Sequence, residues 1–66
     1  MLDDELTLLD GTEVISLRAV ARRLGRSSPY YAKVDLECAG LRPETVLDGQ
    51  PYYNADHIAP LVAGRR

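Results

Sequence analysis

The chain has 66 residues, with ten acidic against eight basic side chains for a formal net charge of −2, and a single cysteine and a single histidine. A domain of this size buries only about 60% of the surface its unfolded chain exposes, so these residues are expected to form one compact domain without a large internal ligand cavity. Cys38 alone closes no intramolecular disulfide and with His57 makes a poor zinc site, so the fold is expected to rest on apolar packing in a reducing compartment, with no metal or other cofactor.

The N-terminus, Met1-Leu2-Asp3-Asp4-Glu5, is acidic where a signal peptide would be basic, and no apolar run approaches the roughly 18–20 residues of a bilayer span. A cytoplasmic location without membrane contact is expected. Residues 1–5 read as a solvated acidic arm on the single domain 1–66; the sharper alternative is an arm docked on a basic partner or on the chain's own basic face. Thr7-Leu8-Leu9 and Val14-Ile15 flank Asp10-Gly11, a pair that tolerates positive φ and predicts a tight hairpin. Ser16 suits a helix N-cap, and Leu17, Val20, Ala21 and Leu24 fall on one helical stripe, which predicts a first helix over about 17–24 ended by Gly25. Ser28-Pro29 opens a second helix, 29 to about 39, stopped by Gly40. Its spacing lets Tyr31, Val34, Cys38 and Leu41 face the core, with Tyr30, Lys33 and Glu37 on the other side. Glu44-Thr45-Val46-Leu47, Asp48-Gly49 and Gln50-Pro51-Tyr52-Tyr53 predict a second hairpin, with Pro51 on an edge strand or one only partly paired. Asn54 caps a last helix with Asp56 in its first turn, and Pro60 predicts a kink or an end near Ala59. One tyrosine of each pair, Tyr30-Tyr31 and Tyr52-Tyr53, is expected inward; Cys38 reads as a small core residue and His57 as a surface or capping one.

Two short helices joined by a tight glycine-containing turn make a helix-turn-helix. The charge is segregated around it. Met1 to Glu13 holds five acids and no base, and Arg18 to Lys33 holds five bases and no acid. Such a basic stretch suits the phosphate backbone of double-stranded DNA, and the start of the second helix suits the major groove. Arg18, Arg22, Arg23 and Arg26 are therefore candidates for phosphates, and Ser27, Ser28, Tyr30, Tyr31 and Lys33 for base edges or adjoining phosphates. The bland alternative is an ordinary solvated helix face.

The order helix, turn, helix, hairpin, helix resembles a known superfamily: the DNA-binding heads of MerR-type regulators, the excisionases of phages and plasmids, and the DNA-binding domain of lambdoid terminase small subunits. The resemblance lies in Ser16-Leu17-x-x-Val20-Ala21-x-x-Leu24-Gly25, Ser28-Pro29, Gly40-Leu41-x-Pro43, Asp48-Gly49-x-x-Tyr52-Tyr53 and Asp56-x-Ile58-x-x-Leu61, and covers about residues 14–62. It implies an α+β, mainly helical fold: a winged helix-turn-helix with two short β-hairpins and three helices. Three departures accompany it. The stretch from Ser28 to Leu41 is about one residue longer than the MerR pattern, which leaves the facing of the second helix open. Gln50-Pro51 stand where relatives carry a wing arginine. No long dimerisation helix or effector domain follows Arg66, which points to the short, head-only members.

The leading expectation is thus a non-enzymatic, sequence-specific DNA-binding protein, either excisionase-like (a recombination directionality factor) or a small transcription regulator. Self-association on DNA and a recombinase or transcription-machinery partner accompany that class; a small-molecule effector is not expected. The alternative is a protein-interaction module of the same fold, such as a terminase small-subunit-like fragment or a phage-type inhibitor of a host protein. The chain carries no glycine-rich phosphate loop, metal cluster or paired acid–base set, so an enzyme is not expected.

Overall fold

The clearest helical stripe of the sequence becomes the hub of the fold. In a computed structural model, which describes residues 4–64, helix α1 spans Leu17–Leu24. The Ser16 hydroxyl accepts from the Ala19 amide at 3.1 Å, and Gly25 ends the helix at φ +71°, a left-handed conformation that glycine adopts without steric cost. Val20, Ala21 and Leu24 are buried as the stripe requires, with Ala19 beside them and Leu17 partly covered.

Helix α2 spans Pro29–Cys38, after a connection of four residues, and packs on α1. Its facing differs from the expected one. Ala32 and Leu36, four apart, are wholly buried, whereas Tyr31, Val34 and Cys38 join Tyr30, Lys33 and Glu37 in solvent. Leu41 alone of the expected inward set packs against the core. The reason is that α2 carries apolar side chains around its whole circumference, so periodicity does not select a face. Close packing on α1 then favours the compact Ala32 over the bulky Tyr31. Ser28 stands at the N-cap with extended φ and ψ, but its hydroxyl makes no capping bond.

Four strands form one antiparallel sheet in the order β1-β2-β4-β3, where β1 is Glu5–Thr7, β2 Glu13–Ser16, β3 Thr45–Leu47 and β4 Gln50–Asn54. The two expected hairpins are thus fused through β2 and β4, with Ile15 opposite Tyr53. The first hairpin is looser than a two-residue Asp-Gly turn. Leu8 and Leu9 belong to a loop of residues 8–12, closed by the Leu8 amide donating to the Thr12 carbonyl at 2.8 Å. Asp10 keeps a negative φ and uses its carboxylate to accept from the Thr12 amide at 2.9 Å, so Gly11 alone takes a positive φ, +90°. The second hairpin has the tight turn: Asp48 and Gly49 lie at φ +51° and +74°, and Leu47 pairs with Gln50. β4 is a central strand over Tyr52–Asn54, but at Pro51 only β3 flanks it, so the missing amide falls where β2 offers no pairing.

Both Tyr52 and Tyr53 are buried and both Tyr30 and Tyr31 exposed, contrary to one inward member per pair. Neighbours on a strand point to opposite faces, and β4 is covered on both faces at this point. Tyr53 joins the core opposite Ile15, while Tyr52 pairs with Ser16 and Thr45. Helix α3, Ala55–Ala63, is capped by Asn54 accepting from the Asp56 amide at 2.9 Å, with Asp56 in its first turn and His57 exposed. It continues through Pro60 rather than ending near Ala59. Proline deletes one intrahelical bond, and buried Ile58 before it and part-buried Leu61 and Val62 after it hold both segments on the same core. The described residues thus form a small α+β domain of three helices and a four-stranded antiparallel sheet. No helix among them is long and apolar enough to cross a membrane.

Candidate nucleic-acid interface

The arginines of α1 are exposed, but each is ion-paired within the chain. Arg18 and Arg22 lie one turn apart on the outer side of α1, and their guanidinium groups meet the Asp4 carboxylate at 3.2 and 2.9 Å. Arg23 meets Glu5 at 2.6 Å. Strand pairing presents these acids: the Ser16 amide donates to the Asp4 carbonyl at 2.7 Å, and Glu5 pairs with Ile15. The Ser16 hydroxyl that caps α1 also donates to the Asp4 carboxylate at 2.9 Å. The hydrogen bond from Arg22, then those from Ser16 and Arg18, hold the Asp4 carboxyl at about 2, below its ordinary 3.8. The solvated arm expected of residues 1–5 is therefore corrected for Asp4 and Glu5, which dock on the chain's own basic face; Met1, Leu2 and Asp3 lie outside the described residues, as do Arg65 and Arg66.

Arg26, in the turn, is engaged differently. Its Nε and Nη2 donate to the two carboxylate oxygens of Asp35 at 2.7 and 2.9 Å, a part-buried fork that ties the connection to the distal half of α2. Donating these hydrogen bonds to Asp35 holds the guanidinium pKa above its ordinary value. Ser27 is exposed and Ser28 half-buried.

The outer face of α2 is open. Tyr30 and Tyr31 are 67% and 52% exposed, and their rings meet edge to face with centroids 5.6 Å apart. Lys33 is exposed one turn on. It lines a groove of about 640 Å³ between α2 and the base of the β3–β4 hairpin, whose walls include Glu37, Leu41, Arg42, Pro51 and Tyr53. Burial, and then the charge of Glu37, push the Tyr53 phenol above its ordinary value, so it stays neutral there. Lys33 and Arg42 have no ion-pair partner among the described residues. The structure therefore brings Lys33 together with Arg42 and not with the arginines of α1; Arg23 lines a separate depression beside β1 and β2.

No family model, curated protein or solved structure matches the chain. The site is thus defined by its own geometry. Arg42 is the residue that charge counting missed, because it stands alone in a mixed stretch and becomes a neighbour of Lys33 only when the connection after Gly40 folds back beside α2. Cys38 is an exposed thiol and not the core residue expected. Among the described residues no group of three or more His, Cys, Asp or Glu side chains could hold a metal ion.

Proposed function

We propose that this chain is a non-enzymatic cytoplasmic protein that binds double-stranded DNA in a sequence-specific manner, with α2 as the reading helix of a winged helix-turn-helix. The observation that carries the reading is the outer face of α2. Ala32 and Leu36 anchor the helix by its inner side, while Tyr30, Tyr31 and Lys33 project from its first turns; Lys33 shares a groove with Arg42, and neither has an ion-pair partner among the described residues. A rigid helix of this kind fits the major groove, with N-terminal side chains near base edges and flanking cations on phosphates. Lys33 and Arg42 act as the phosphate contacts of that docking, and the tyrosines supply flat apolar surface and hydroxyl groups for the groove. Arg26 ties the connection between the helices to α2 through Asp35. The tip of the β3–β4 hairpin carries Asp48 and no base, so the wing supports the groove from its base without inserting into DNA.

The resemblance to MerR-type heads and excisionases agrees in order of elements with this reading, and both a recombination role and a regulatory role use the same contact chemistry. A second reading, a protein-interaction module, is favoured by two observations: the α1 arginines already hold carboxylates, and the open face of α2 is more apolar than basic. Fluorescence anisotropy of a labelled duplex discriminates the two. DNA binding that weakens steeply with salt, and falls about tenfold or more in a folded Lys33→Ala, Arg42→Ala variant, is expected. Absence of binding at low salt by the folded wild type would overturn the DNA reading in favour of a protein partner.

A further inference from the structure

The ion pairs between the chain's N-terminal acids and α1 join groups of opposite electrostatic preference for DNA on one surface. Asp4 bridges Arg18 and Arg22, Glu5 holds Arg23, and all three arginines are otherwise open to solvent, with side-chain exposures of 57%, 61% and 42%. A guanidinium directed at these carboxylates cannot present the same donors to a phosphate. Glu5 opens, and Asp4 directly precedes, an edge strand of three residues joined to the sheet only through β2. Displacing it would leave the pairing of β2 with β4 intact.

We infer that Asp4 and Glu5 form an intramolecular latch that occupies Arg18, Arg22 and Arg23 in place of a phosphate backbone, and that a nucleic-acid polyanion must displace it to engage α1. The inference rests on the DNA reading above and adds its regulation. The latched chain contacts DNA through the α2 face and Arg42; the opened chain adds three arginines from α1. The Asp4 carboxyl sits at about 2, so the Asp4 bridge keeps its charge throughout the physiological range and its arginine contacts respond to competing anions and salt. Its arginine contacts are exposed pairs, each worth at most a few-fold, so it tunes affinity without abolishing it.

The test compares the full chain with an Asp4→Asn, Glu5→Gln variant, in which the amide oxygen at the first position can still accept from the Ser16 hydroxyl, and with a charge-matched Asp10→Asn, Glu13→Gln control whose carboxylates form no ion pair with an arginine among the described residues. Binding to a labelled duplex and to inorganic polyphosphate is measured at about 50 mM salt, with circular dichroism to establish folding. The latch predicts that the first variant binds both polyanions about tenfold more tightly and the control less than about twofold, and that the gain disappears when Arg18, Arg22 and Arg23 are also changed to Gln. Equal gains in variant and control would reduce the effect to net charge and overturn the latch. A gain on polyphosphate with no DNA binding by any form would sustain the latch and overturn the DNA reading. Wild-type DNA binding with no gain in the variant would do the reverse.

Discussion

Removing the Ser16 hydroxyl tests how the fold couples its sheet to its first helix. Ser16 is 1% exposed and makes two side-chain bonds: it accepts from the Ala19 amide at 3.1 Å and donates to the Asp4 carboxylate at 2.9 Å. Loss of a serine cap costs about 1 kcal/mol, within a range of about 0.5–2. Ala19 is itself buried, so its amide is shielded from replacement water, which places Ser16→Ala at the upper end, about 2 kcal/mol. In a domain of this length each kcal/mol moves Tm by roughly 4–8 °C, so a fall of about 8–16 °C is expected. Ser28 is the internal comparison. It occupies the same position before α2, yet its hydroxyl makes no capping bond, so Ser28→Ala should change stability by no more than about 0.5 kcal/mol. Urea and thermal unfolding followed by circular dichroism at the helical band measure both. Equal losses in the two variants, or a larger loss from Ser28→Ala, would refute the reasoning that side-chain capping separates the two helices.

The facing of α2 makes a second contrast: Leu36→Ala should cost about 2–5 kcal/mol and Val34→Ala no more than about 0.5, read from the same unfolding curves. Asp4 sets an acid limb. Its folded value of about 2 lies below the ordinary 3.8, so its contribution is complete above about pH 4 and is lost as pH falls through 4 towards 2. The unfolding midpoint of Asp4→Asn should accordingly fall less over that window than the wild type's. Cys38, exposed on α2, should react with a thiol reagent in the native protein within about tenfold of its rate in denaturant; protection of a hundredfold or more would place it in the core after all.

What could be read from the residues depended on how many local signals agreed. At α1 the cap, the stripe and the terminal glycine point to one answer, and the helix runs between those limits. The Asp48-Gly49 turn was legible because the chain needs two consecutive positive φ values there and these residues tolerate them. The same dipeptide at Asp10-Gly11 behaved differently, since Asp10 found a local amide for its carboxylate. The inward face of α2 was not legible: apolar residues surround the helix, and the choice of Ala32 and Leu36 is made by the partner helix. The basic stretch was visible as composition, but its electrostatic state was not. The partners of Arg18, Arg22 and Arg23 lie in the acidic segment that precedes β2, and only pairing of that segment with β2 brings the opposite charges together.

The central claim, that the outer face of α2 reads duplex DNA, is tested most directly by following backbone amide resonances of the labelled chain while a duplex is added. The account predicts that the largest shifts fall on Tyr30, Tyr31, Lys33 and Arg42 and that they diminish as salt is raised. Shifts confined to residues away from α2 and its groove, or none at duplex concentrations well above that of the protein, would contradict it.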